Sequence, residues 1–325
     1  ETYNDVIISV SEVSSGVYGD VSEEQAITIG PFSSVTTSTI FTGNVGLLSK
    51  GSSLEFTVLL QMNGEVEAEY PISILVGPLN STDPIPPDGY GYWTYDNTDL
   101  EYDEHPQYNW EELNPEDGGN GIDLGLVDDS SITIPIGFDF KFYGEDFSDI
   151  TIGSNGWASF LPCLDGNGEG CYVINHFFNN SITFPIGPYG LLAPFYDDLD
   201  DNVGIEPFNI YKYFDEVNHR FIVQWDNLAN GHNDDLCPND CDKETFQLIL
   251  IDPAYNLNGS DGIIFFQYKE IYDVDDHGST IGIESLDKNQ GVEYLFNYSY
   301  HPEASGLSNE LAIVFTTEAN YLYMN

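Results

Sequence analysis

The densest signal along the chain is a period of two. Ile132, Ile134, Ile136, Phe138, Phe140 and Phe142 occupy every second position, with Thr133, Asp139 and Lys141 among the residues between them. Alternate side chains of a pleated strand point to opposite faces, so this run predicts a half-buried antiparallel strand. Gly144 breaks it, Ile150 and Ile152 start a second strand, and Asn155-Gly156 offers the positive φ angles of a tight hairpin before Trp157 and Phe160 return to a core. Earlier, Leu54, Phe56, Val58 and Leu60 alternate with Glu55, Thr57 and Gln61. After Asn63-Gly64, Val66, Ala68, Tyr70, Ile72, Ile74 and Val76 alternate with Glu65, Glu67, Glu69 and Ser73. Further strands are predicted over 6–10, 26–29 and 36–41. No window of eleven or more residues carries a capped helical period, so helices should be short or missing.

The reading is an all-β chain of two β-sandwich domains: a small one over 1–77 and a larger one of jelly-roll type over 90–325. Residues 78–89, with Pro78, Pro84, Pro86 and Pro87, read as a stiffened linker.

Within the larger region, the stretch Tyr90 to Pro115, then GGNGIDLGLVDD (Gly118 to Asp129), FYG (Phe142 to Gly144), SNGW (Ser154 to Trp157) and APFYDDLDD (Ala193 to Asp201) follow one another. The segments RFIVQW (from Arg220), TFQLIL (from Thr245), GIIFFQY (from Gly262), TIGIE (from Thr280) and LAIVFTT (from Leu311) come after them. In this order the segments resemble the β-rich module near the C-termini of large secreted bacterial surface proteins, and more distantly the nidogen-type extracellular domain. The resemblance implies architecture and an extracellular or cell-surface location rather than a chemistry. The first region, chiefly through MNGEVEAEYPISILVG (Met62 to Gly77), resembles the immunoglobulin-like modules that follow the catalytic domain of gingipain-type secreted peptidases. Such modules usually carry another strand before the segment equivalent to Asp5 to Val10, where this chain has almost nothing. A sandwich short of a strand exposes unpaired backbone groups to another chain.

Charge narrows the partners. Fifty-five acidic residues against seven Lys plus Arg leave a net −48, with the acids spread along the whole chain. Such a surface repels nucleic acid and anionic lipid, and favours cations or surfaces that carry them. Solubility, or adaptation to salty or hot surroundings, accounts for much of it. No run of eighteen apolar residues occurs, so no transmembrane segment is expected. The start at Glu1, without Met or a leader, reads as a mature or excised product.

Four cysteines form two close pairs, Cys163 with Cys171 and Cys237 with Cys241, in loops rich in Gly, Asn and Asp. Two local disulfides in an oxidising compartment are favoured over a four-thiolate zinc site, whose spacing differs. Sequons stand at Asn80, Asn179, Asn258 and Asn297. Asp165, Asn167 and Glu169, between the first two cysteines, place oxygen ligands at alternate positions among glycines, as a calcium loop does. The bidentate acid of a helix-flanked loop is missing at Asn175, and a disulfide-closed turn explains the same residues. Asp197, Asp198, Asp200 and Asp201 form a second cluster that either splays into water or shares calcium.

Enzyme signatures are absent: there is no H-E-x-x-H, no G-x-S-x-G and no phosphate-cradling glycine loop. The aromatic strip from Tyr90 to Trp110 serves as packing or as a stacking surface for glycans. The expectation is therefore a non-enzymatic extracellular structural protein, a subunit of a surface filament that binds copies of itself by intersubunit strand addition at either terminus. The alternatives are the accessory region of a larger secreted peptidase and a carbohydrate-binding adhesin.

Overall fold

The computed structural model describes residues 3–11, 18–20, 25–29, 42–44, 53–62, 65–75, 80–161, 177–200, 209–230, 243–255, 261–272 and 278–317. The chain divides into two compact units, Glu1–Asn80 and Ser81–Asn325.

The first unit holds β1 (Tyr3–Ser11), β2 (Tyr18–Asp20), β3 (Gln25–Ile29), β4 (Thr42–Asn44), β5 (Ser53–Met62) and β6 (Glu65–Leu75). A four-stranded antiparallel sheet runs β3-β1-β5-β6, and β2 pairs with β4. The alternation over 54–76 becomes the β5–β6 hairpin, with Phe56 opposite Ile72 and Val58 opposite Tyr70. The strand expected over 36–41 lies outside the described residues. Among the described residues β6 has β5 as its one partner and forms a sheet edge.

The second unit contains β7 (Trp93–Asp96), β8 (Ile122–Asp123), β9 (Ser131–Phe142), β10 (Glu145–Gly153), β11 (Ala158–Ser159), β12 (Leu191–Tyr196), β13 (Leu199–Asp200), β14 (Asn209–Asp215) and β15 (Arg220–Asn230). It continues with β16 (Lys243–Ile251), β17 (Ile264–Glu270), β18 (Thr280–Glu284), β19 (Gly291–Phe296), β20 (Ser299–Tyr300) and β21 (Ala312–Thr316). One sheet runs β20-β19-β18-β12-β11-β10-β9. The other runs β7-β21-β17-β16-β15-β14-β8, with β13 on β15. Pairing throughout is antiparallel, and the helical content among the described residues is two short 3₁₀ turns, Pro115–Asp117 and Pro253–Tyr255.

One continuous core fills the sandwich. Ile134, Ile136, Phe140 and Phe142 of β9 meet Phe221, Val223 and Trp225 of β15, Phe246 and Leu248 of β16, and Phe266 of β17, while Ile132 and Phe138 pack at its margin. The even-numbered face predicted for β9 is thus the inner face. A bulge between its two paired stretches re-aims the strand, and Gly137 sits there at φ +104, a conformation that favours glycine. Trp225 stacks on Phe246 at 5.2 Å and donates its indole N–H to the Gly153 carbonyl at 2.9 Å, which ties the two sheets together.

Part of the stretch read as linker belongs to this sandwich. Ile85 is 3% exposed and exchanges backbone hydrogen bonds with Thr94 of β7, at 2.9 and 3.3 Å, and Asp83 is buried too. An apolar side chain amid prolines finds a place beside the sheet, so the chain packs from Ser81 onward rather than from residue 90.

Candidate functional site

The loop motifs converge on four polar centres. At the first, Asp88 accepts the backbone N–H groups of Tyr90, Gly91 and Tyr92 on one carboxylate oxygen and the Tyr143 hydroxyl, at 2.6 Å, on the other. Asp261 accepts the hydroxyls of Tyr90 and Tyr92 and the Gly144 N–H. Burial first, and then these carboxylates, push the phenols of Tyr92 and Tyr143 up, so all remain hydrogen-bond donors. YGY and FYG therefore act as one tyrosine–aspartate clasp.

At the second centre, Gln224, Gln247 and Gln267 lie in register across β15, β16 and β17 and are buried. They hold the segment from Asn109 to Leu113 against the outer face of the sheet. Gln267 accepts the Asn109 N–H at 2.7 Å, Gln224 accepts the Leu113 N–H at 3.0 Å, and Gln247 donates to the Glu111 carbonyl. Burial alone would raise the Glu112 carboxyl, but donation from Gln224, Lys269, the Asn114 N–H and Trp110 outweighs it and holds the group at about 2. Trp110 lies 6.3 Å from Tyr108 in a stacked arrangement under the Lys269 ammonium. Part of the predicted aromatic strip is thus half-buried and engaged.

At the third centre, three carboxylates are almost wholly buried: Asp83, Asp96 and Asp99. Asp96 accepts the Tyr294 hydroxyl at 2.7 Å, the Ser305 N–H, and the Thr98 N–H and hydroxyl. Asp83 accepts the Tyr102 hydroxyl at 3.0 Å. Asp99 accepts the Asp96 N–H on Oδ2, whereas its Oδ1 is buried without a hydrogen-bond partner. Burial, and then the neighbouring Asp96 and Asp83 charges, push its carboxyl up to about 8.

The fourth centre contains three of the predicted metal ligands. Asp197 is buried; Oδ2 accepts the Asn230 amide at 2.9 Å and Oδ1 accepts the Asp198 N–H at 2.9 Å. The SNG turn explains why these acids lie where they do. Gly156 takes φ +69, a Cβ there would meet the Phe195 carbonyl oxygen at 1.7 Å, and the Asn155 side chain bridges from the Leu199 N–H to Asp129. Asn155 itself is not among the positive-φ residues, so one rather than both of the turn residues takes the left-handed conformation. Asp128 and Asp129, just before β9, thereby join Asp198 and Asp200. Burial first, then Asp129, Asp200 and Asp198, push the Asp128 carboxyl up to about 6. The doubled acid at 128–129 was the available sequence signal. Among the described residues, no three or more His, Cys, Asp or Glu side chains are already grouped to hold a metal ion.

Asp165, Asn167, Glu169, Asp201, the cysteines Cys163, Cys171, Cys237 and Cys241, and the Asn258 sequon lie outside the described residues. Asn80 is exposed. Asn179 and Asn297 are brought together, the Asn179 amide donating to Asn297 Oδ1 at 3.1 Å and to the Gly278 carbonyl at 2.6 Å.

The second unit is thus a large antiparallel sandwich whose signature loops clamp one another. The chain belongs to the NIDO-related family, whose model matches residues 105–324, more than half of its length. The match begins after YGYWTYDNTD, yet these residues fold into the same unit: β7 pairs with β21, and Tyr92 lies in the core. No curated protein and no solved structure matches the chain. No helix among the described residues is long and apolar enough to cross a membrane.

Proposed function

We propose that the protein is an extracellular structural subunit that self-assembles by strand addition at the first unit, the NIDO-related sandwich forming the body of each subunit. The observation that carries this reading is β6. It is eleven residues long, has one partner strand among the described residues, and leaves Val66 46% and Tyr70 56% exposed. A sheet edge with apolar side chains is a template for a strand from a second copy. Glu65, Glu67 and Glu69, also exposed, discourage unspecific pairing, so a cation is needed when two chains of −48 approach.

We propose calcium as that cation, drawn to Asp128, Asp129, Asp198 and Asp200, whose mutual repulsion supports the reading. Negative-stain electron microscopy of the purified chain, with calcium and with chelator, tests the reading. Filaments in calcium that vanish in Val66→Asp/Tyr70→Asp are expected. Monodisperse particles in calcium, or filaments that persist in the double variant, would overturn it.

A further inference from the structure

A second association surface lies on the larger unit. From Gly170 to Tyr196 the sequence contains no Asp, Glu, Lys or Arg, and neither does Tyr294 to Pro302, although 19% of the chain is charged. The fold joins the described parts of these two stretches. Asn179 reaches Asn297 and Gly278, the Thr280 hydroxyl donates to the Asn180 carbonyl at 2.9 Å, and the Ile182 N–H donates to Glu293 at 2.7 Å. The segment from Phe177 to Gly187 is thereby strapped over the β18–β19 end of its sheet. Ile182 anchors it inward, while three of its large side chains point outward: Phe178 is 63% exposed, Ile186 60% and Phe184 41%. Across the strap, Tyr298 is 45% and Tyr300 37% exposed. Tyr300 belongs to β20, which among the described residues is the last strand at that edge of the sheet, and with Pro86, Val292 and Pro302 it lines a cleft of ≈ 390 Å³ that Asp88 and Glu293 also line.

We infer that this patch is where a second copy of the chain docks. Exposed aromatic surface beside an open sheet edge marks an interaction site. Charge selects the occupant. A basic partner would be drawn to the carboxylates that cover the rest of the molecule, whereas a chain of −48 meets least repulsion from its own kind where both surfaces carry few charges. The inference deepens the self-assembly reading by adding a contact distinct from β6. Two different self-association surfaces on one chain allow an array that need not close.

Sedimentation of unglycosylated protein at about 0.02 M and about 0.5 M salt tests it, since screening should strengthen a contact opposed by like charge. The expected result is concentration-dependent association that rises with salt. Phe178→Asp/Ile186→Asp and Tyr298→Asp should each weaken it at least tenfold, with unchanged Tm for the first pair, whose side chains are 63% and 60% exposed. If Val66→Asp/Tyr70→Asp abolishes association and the patch variants do not, the patch proposal falls and strand addition stands; the reverse result supports the patch alone. A wild-type chain that stays monomeric at both salt concentrations overturns the proposal. So does mass-spectrometric evidence, from protein secreted by its source cells, that Asn297 carries a glycan, which would cover the patch.

Discussion

Gln247 and Gln224 face each other across β16 and β15, and the Gln247 amide donates to Gln224 Oε1 at 2.8 Å while the same oxygen accepts the Leu113 N–H. One buried side-chain pair thus joins two strands and fastens a crossing segment. Replacing Gln247 with Leu removes the donor to both Gln224 and the Glu111 carbonyl. The expected cost is roughly 1–3 kcal/mol, that of leaving a buried acceptor unmade. Hydrogen exchange should accelerate at Asn109 and Leu113 ahead of the strands, and unchanged protection there would refute the clamp.

The SNG turn has no room for a side chain. Gly156→Ala places a methyl against the Phe195 carbonyl and forces φ +69 on a residue that disfavours it. Backbone strain and overpacking together predict a loss of roughly 3–5 kcal/mol, and a Tm lower by about 10 °C. A Tm within error of wild type would show that the turn relaxes freely.

Asp99 makes stability depend on pH. Its folded-state carboxyl, at about 8, lies above the ordinary value of 3.8, so the folded state holds the extra proton between those limits. Stability therefore falls as pH rises from about 4 to 8, and that loss is complete above the folded value. Asp99→Asn, a neutral isostere, should raise Tm by roughly 3–8 °C at pH 8 and by much less near pH 4. Parallel Tm curves for the two proteins across this range would exclude the assignment.

Calcium binding at the acidic corner is checked by titrating Tm or heat with the metal. Asp198→Asn/Asp200→Asn should weaken the calcium response several-fold, because both charges contribute to the repulsion that raises Asp128. A response equal to that of wild type would place any bound calcium elsewhere.

Glu112 carries the opposite sign to Asp99. Held at about 2 against an ordinary 4.5, it supports the fold above pH 4.5, and this contribution disappears as pH falls towards 2. Glu112→Gln should flatten acid unfolding in that window, as followed by Trp110 fluorescence. An unaltered acid transition would rule it out.

The strands themselves were legible because alternation is a local property. Ile132 to Phe142 and Leu54 to Val76 state their faces through neighbours two residues apart, and a side-chain period of two admits one pleated solution. Likewise the ordered loop motifs announced the family module, though not its true start, since Ile85 and Asp83 lie among prolines that read as a boundary. Pairing across long sequence separations has no such local mark. That Asp128 would join Asp198, that three glutamines in separate strands would share one row, and that Asn179 would meet Asn297 depended on register, sheet order and the bulge at Gly137, which only the folded sandwich defines. Local periodicity decides which residues leave water; the three-dimensional pairing of strands decides which polar groups must then find one another.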